Sequence, residues 1–209
     1  SSDVCSSDLF QMLSKNLAGI IVLKFVALYG TAAVAAIGIG NKLINFTNMP
    51  IVGLAMGSSA IVGQCLGANK VDKAKESATK ACILGASIMT VLAIIIFIFP
   101  EFIMKVFINN EEVINIGITM LRIISIGLIA MGAAMGIGSV FPGSGYNFPY
   151  FSASVIGRWC CQIPLLFIVV KVFKLPIMWV WVVFCIGDFI EMLVVFIFYK
   201  IGKWQISRV

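Results

Sequence analysis

Six stretches of about 20 or more mostly apolar residues, near 10–28, 32–66, 77–100, 113–139, 149–171 and 177–199, restrict this chain's fold more than any other feature of it. A lipid interior gives backbone N–H and C=O groups no water to bond, so each spanning segment must satisfy them internally, as a helix does. Only 11% of the residues are charged, against about 25% in soluble domains. The expected fold is therefore all-α, a polytopic membrane bundle of six transmembrane helices. Glycine and proline punctuate it at Tyr29-Gly30-Thr31, Gly67-Ala68-Asn69-Lys70, Pro100 to Glu112, Pro142-Gly143-Ser144-Gly145 and Lys174-Leu175-Pro176. The second span is too long for one crossing: roughly 35 residues rise about 52 Å, against a hydrocarbon core of about 30 Å. Pro50 lacks an N–H and clashes with the preceding turn, which predicts a kink between Asn45 and Pro50, with Gly53 completing a hinge.

The net charge of +6 sits between and at the ends of the apolar runs, a placement that sets membrane orientation and argues against a nucleic-acid partner. Lys70 to Lys80 holds four lysines, and the tail carries Lys200, Lys203 and Arg208; Glu101, Glu111 and Glu112 face one Lys105 on the other side. The positive-inside rule makes this lysine-rich loop and the C-terminus cytoplasmic, with Lys171 and Lys174 counting against it. Trp179 and Trp181 at one end of the last span, and Tyr199 and Trp204 at the other, are expected in interfacial belts.

Several chemistries drop out. There is no histidine, which removes Ser/His and Cys/His pairs and zinc-protease helices, and the cysteines lack metal-ligand spacing. No cofactor is expected, and no GxxxxGK[ST] loop marks nucleotide hydrolysis. Intramembrane aspartyl chemistry needs two facing acids, whereas Asp188 is the one Asp within a span; an enzyme is not expected.

Intramembrane charges are costly and usually paired, so Arg158, Asp188 and Glu191 are the leading candidates. Counted from the cytoplasmic helix ends they lie about 14, 16 and 12 Å deep. They read either as a proton- or ion-linked site or as a structural ion pair pinning the fifth span to the sixth. Asn41, Asn45 and Asn48 recur at i, i+4 and i+7 on one helix face, a stripe that either lines a polar cavity, with Lys42 beside it, or ties helices together. Lys24 is expected to snorkel outward. Gly53 with Gly57, Gly63 with Gly67 and Gly132 with Gly136 are spaced for close helix approach. Met131 and Met135 read as packing or lipid-facing rather than as an adaptable drug-binding wall.

The opening SSDVCSSDL has no basic start, apolar run or cleavage site, and its codons can be those ending a common sequencing-library adapter. Residues 1–9 are therefore expected to be translated adapter, and 10–209 the protein proper.

The stretch MPIVGLAMGSSAIVGQCLGANKVDKAKESATK resembles the signature of the multidrug and toxic compound extrusion (MATE) transporters. YGTAAVAAIGIGNKL before it, FPGSGYNFP at the fourth-to-fifth connection, and R.....IPL and IGD in the last two spans extend the likeness from about Phe10 to Trp204. The resemblance implies one lobe, the second, of a twelve-helix antiporter whose two six-helix lobes rock around the substrate. It further implies plasma-membrane efflux of cationic amphipathic drugs or toxic compounds, in exchange for inward Na⁺ or H⁺, with a missing N-terminal lobe as partner. Some members carry an acidic site in the helices matching spans one and four, which here contain no Asp or Glu. Two alternatives stay open: a lipid-linked saccharide flippase of the same superfamily, for which Lys24, Lys42 and Arg158 would be the cavity cations, and a half-size membrane subunit that pairs with a second copy.

Overall fold

The computed structural model describes residues 2–205, with side chains from Leu13 onward except Lys15. Arg208 and the side chains of the leader assigned to adapter lie outside the described residues. The long helices are α1 (Ser2–Ala27), α2 (Thr31–Gly67) and α3 (Val71–Ile98). After a short α4 (Pro100–Phe107) come α5 (Glu111–Gly138) and a single turn, α6 (Val140–Gly143). A composite helix then runs from Phe148 to Val172: α7 (Phe148–Val155), a π-helical stretch (Ile156–Gln162), α8 (Ile163–Phe167) and a second π-helical stretch (Ile168–Val172). α9 (Met178–Ile201) closes the bundle, and no strand occurs among the described residues. Five helices are long and apolar enough to cross a membrane; the sixth expected span is represented by the shorter apolar part of α1, Asn16–Ala27.

Local chemistry explains the boundaries. α2 ends where Asn69 adopts the left-handed conformation at φ 55°, and Lys70 N–H donates back to the Cys65 carbonyl at 2.8 Å, satisfying one of the helix's last carbonyls. α5 starts on Asn110, whose side chain accepts from the N–H groups of Glu112 (3.0 Å) and Val113 (3.3 Å), with two acids in the positive first turn. In the composite helix Pro164 brings no N–H, and the π-type bond from Ile163 N–H to the Arg158 carbonyl shows how the backbone accommodates it.

Two segments expected as breaks are helical. Lys73, Lys75 and Lys80 belong to the first turns of α3, because the basic segment is a helix end rather than a loop. Between α3 and α5, α4 forms with Pro100 in its first turn and buries Pro100 and Met104 while Phe102 and Val106 stay exposed. The helix also carries through Pro50 without interruption. The missing N–H there leaves the Phe46 carbonyl without its i+4 donor, and Thr47 Oγ1 donates to the Leu43 carbonyl at 2.5 Å. Both weakenings fall in the turn where the kink is predicted.

Packing is most extensive between α3 and α5. A Cβ on Gly136 would sit 2.6 Å from the Ala81 carbonyl oxygen, and one on Gly132 would sit 2.7 Å from that of Gly85, so this pair brings two backbones together as expected. Gly63 does the same against Gly143, whereas Gly53, Gly57 and Gly67 have nothing within 4 Å. The belt assignment of two tryptophans is corrected. Trp181 is fully buried in the main core, and Trp204 is buried and stacked on Tyr199, its Nε1–H donating to the Tyr199 carbonyl at 3.0 Å. Indole rings bury more apolar surface than any other side chain, and here the bundle supplies the cover.

Candidate functional site: a cavity with an apolar and a charged end

The bundle forms a partly open cavity of about 620 Å³, walled by α1, α2, α5, the composite helix and α9. α2 presents Ile37, Gly40, Asn41, Ile44, Asn45 and Asn48, a 3–4 spacing that keeps them on one face. α5 adds Met120, Ile124, Leu128, Met131 and Met135, and α9 adds Trp181, Phe184, Asp188 and Glu191. The composite helix contributes Tyr150, Arg158 and Gln162.

Two groups recognised separately in the sequence thus meet in one space. The amide stripe of Asn41, Asn45 and Asn48 and the charge cluster of Arg158, Asp188 and Glu191 line the same cavity. Asn41 and Asn45 are exposed, while the Oδ1 atom of Asn48 is buried and accepts no hydrogen bond from the described residues.

Small residues bring the charges together. A Cβ on Gly157 would lie 3.2 Å from the Gly187 carbonyl oxygen and 3.3 Å from Glu191 Cβ, so the composite helix touches α9 almost backbone to backbone. Arg158 is the next residue along, and its Nε stands 3.9 Å from Glu191 Oε2. That separation is an ion pair but exceeds hydrogen-bond length, and Nε is buried without a hydrogen-bond partner. Arg158 and Glu191 side chains are 32% and 14% exposed, so the pair is largely shielded from bulk water. Asp188 turns towards α5, its Oδ2 3.1 Å from where a Cβ on Gly127 would stand.

Other expected residues fall elsewhere. Lys24 and Lys42 are exposed and do not line the cavity; Pro50 is exposed on α2, and Gly53 borders a separate groove between α2 and α3. Met131 and Met135 pack against the core as expected and also line the cavity. Sequence reasoning missed Tyr150, Gln162 and Trp181. Gln162 is 4% exposed and sits four residues after Arg158, with its side chain 3.5 Å from the Cβ position of Gly187. Its signal was available: a buried amide beside an intramembrane arginine.

A model of the MatE family matches residues 9–168. The chain is 29% identical over 199 residues to the "Probable multidrug resistance protein YoeA" of Bacillus subtilis (strain 168), covering 94% of this chain and 43% of that protein. It is 23% identical over 176 residues to the "Probable multidrug resistance protein NorM" of Thermotoga maritima, covering 84% of this chain and 38% of the relative. In fold it is similar to the crystal structure of the Vibrio cholerae MATE transporter VcmN in the bent form, with TM-score 0.87, 22% identity, and coverage of 96% of this chain and 45% of that one. The chain therefore spans less than half the length of the curated relatives it matches. The family match runs from Leu9 into the composite helix, and the fold likeness carries α9 as well; the chain belongs to the MatE family of membrane transporters.

Proposed function

We propose that this chain forms one lobe of a secondary active exporter of cationic amphipathic drugs or toxic compounds, coupled to inward movement of Na⁺ or H⁺. The observation that carries this reading is the polarity of the cavity. From the start of α9 its walls are Trp181, Phe184, Ile37 and Ile124; about 10 to 15 Å further along α9 come Asp188 and Glu191, in the same lining as the amide stripe. Among the described residues Arg158 is the one basic residue lining the cavity against these two acids, so the three charges sum to −1 when all are ionised. An apolar body with a positive end is complementary to that profile, and a proton or Na⁺ competes with it for the same carboxylates.

In this reading a second lobe covers the open side of the cavity, the basic start of α3 and the C-terminus are cytoplasmic, and the turn from Thr47 through Pro50 to Gly53 bends as the lobe changes state. A lipid-linked saccharide flippase is less well supported, because two of its three expected cavity cations, Lys24 and Lys42, lie outside the lining.

The test is transport by the full-length protein in proteoliposomes loaded with ethidium. Under this reading an imposed Na⁺ or pH gradient drives ethidium movement without ATP, and imposing the two separately identifies the coupling ion. Ethidium retained under both gradients would reject it.

A further inference from the structure

The cavity face of α9 carries four side chains in sequence: Trp181, Phe184, Asp188 and Glu191. At about 100° per residue they fall within an arc of about 80°, and Asp188 lies two full turns beyond Trp181 on nearly the same line, about 10 Å along the axis. One helix face thus presents an indole, an aromatic ring and two carboxylates in a row.

Trp181 is fully buried, yet its Nε1–H has no hydrogen-bond partner among the described residues. The contrast with other indoles of this chain is informative. Trp159 Nε1–H donates to Ser14 Oγ at 2.8 Å, and Trp204 Nε1–H donates to the Tyr199 carbonyl at 3.0 Å. Buried indole N–H groups ordinarily find an acceptor, because leaving one unmade forfeits the solvation it had in water. The cavity-lining members of the same core include Ile37, Ile124 and Leu128, none of which offers a polar side-chain atom. A buried water needs about two to four polar partners, so this wall suits an acceptor arriving on a ligand better than a resident water.

We infer that the Trp181 N–H is a donor to cargo, and that the cavity selects amphipathic cations carrying a neutral acceptor oxygen, a carbonyl or an ether, about 10 Å from the cationic nitrogen. The apolar segment between the two lies along Phe184, whose ring is 6.1 Å from that of Trp181, and the nitrogen reaches Asp188 and Glu191. The acceptor is neutral because an anion would be stripped of water against apolar walls, in a cavity whose net charge is already negative. This inference rests on the reading of the cavity as a cation-export site and adds the feature that ranks one cation above another.

The experiment uses the full-length protein in nanodiscs and two matched probes: decylpyridinium, and its analogue with a ketone carbonyl next to the chain end. Wild type is expected to bind the ketone about tenfold more tightly, the worth of one well-made hydrogen bond to an otherwise orphaned donor. Trp181→Phe, which keeps an aromatic ring and removes the N–H, is expected to erase that preference, so that within this variant the ketone and decylpyridinium bind within about twofold of each other. A wild-type preference under about twofold overturns the inference without reference to any variant, as does a preference that survives in Trp181→Phe. Wild type binding the plain cation without preferring the ketone leaves the export reading intact and rejects only the inference. Binding of neither probe rejects both.

Discussion

Replacing Gly136 by alanine isolates the contact that holds the two most extensively packed helices together. The added Cβ would stand 2.6 Å from both the Ala81 carbonyl oxygen and Cys82 Cα, where ordinary contact begins at 3.4 Å, so α3 and α5 must separate locally by about 0.8 Å. Backbone atoms cannot rotate out of the way as a side-chain end can. A gap of that size forfeits roughly a quarter to a half of each affected dispersion contact, and overpacking of this kind costs about 1–3 kcal/mol. For a chain of this size that corresponds to a fall in apparent melting temperature of about 2–12 °C. Gly38→Ala is the control: the same chemistry on exposed α2 backbone meets nothing within 4 Å and removes a residue about 1 kcal/mol worse than alanine in a helix. Tryptophan fluorescence melts of the two purified variants in one detergent should therefore move in opposite directions, or leave Gly38→Ala unchanged. Equal melting temperatures would refute the assignment of Gly136 to a backbone-to-backbone contact.

Three further outcomes follow from the geometry. Arg158→Leu strands the Glu191 carboxylate in the cavity and should destabilise by roughly 2 kcal/mol, less than a fully buried pair because the arginine is one-third exposed, while Arg158→Leu with Glu191→Leu should recover most of the loss. A double variant melting no higher than the single one contradicts the pairing. In a background without native cysteines, Asn45→Cys should be labelled by a thiosulfonate reagent and protected by tetraphenylphosphonium, whereas Lys42→Cys should be labelled with or without it; protection at both positions would place Lys42 in the cavity after all. In α4, a hydrogen bond from Lys105 at 2.6 Å, then its charge, holds Glu101 below the ordinary carboxylate range. The support this pair gives α4 is complete above that range and is lost as pH falls through the lowered value, so hydrogen exchange of α4 should quicken with acid in wild type and lose that step in Glu101→Gln.

Helix positions were legible because lipid leaves one solution to backbone hydrogen bonding, and glycine and proline mark where it stops: Gly30, Asn69, Pro100 and the 142–145 turn all sit at real boundaries. The lysines of 70–80 misled because charge was read as loop, whereas a helix that projects beyond the hydrocarbon carries charge freely. The paired elements of the site were also visible. An Arg and two acids at similar depth, and three amides on one face, each announced a polar environment inside lipid. What periodicity does not reveal is which face of an apolar helix turns inward. From Met178 to Gly187 α9 is apolar on every side, so Trp181 looked like an interfacial anchor until its neighbours were known. The π-helical turns that seat Arg158 and Gln162 left no mark beyond Pro164, because they depend on how the backbone absorbs a missing donor in its tertiary setting.

The central claim is that the carboxylates of this lobe's cavity hold a cation. The most direct measurement is tetraphenylphosphonium affinity of the full-length protein, wild type against Asp188→Asn with Glu191→Gln, two near-isosteric changes that remove both negative charges. The account predicts a loss of tenfold or more, about 1.4 kcal/mol, with Arg158 left as an uncompensated charge and the melting temperature lowered about as much as in Arg158→Leu. A well-folded double variant that binds tetraphenylphosphonium as tightly as wild type would contradict it.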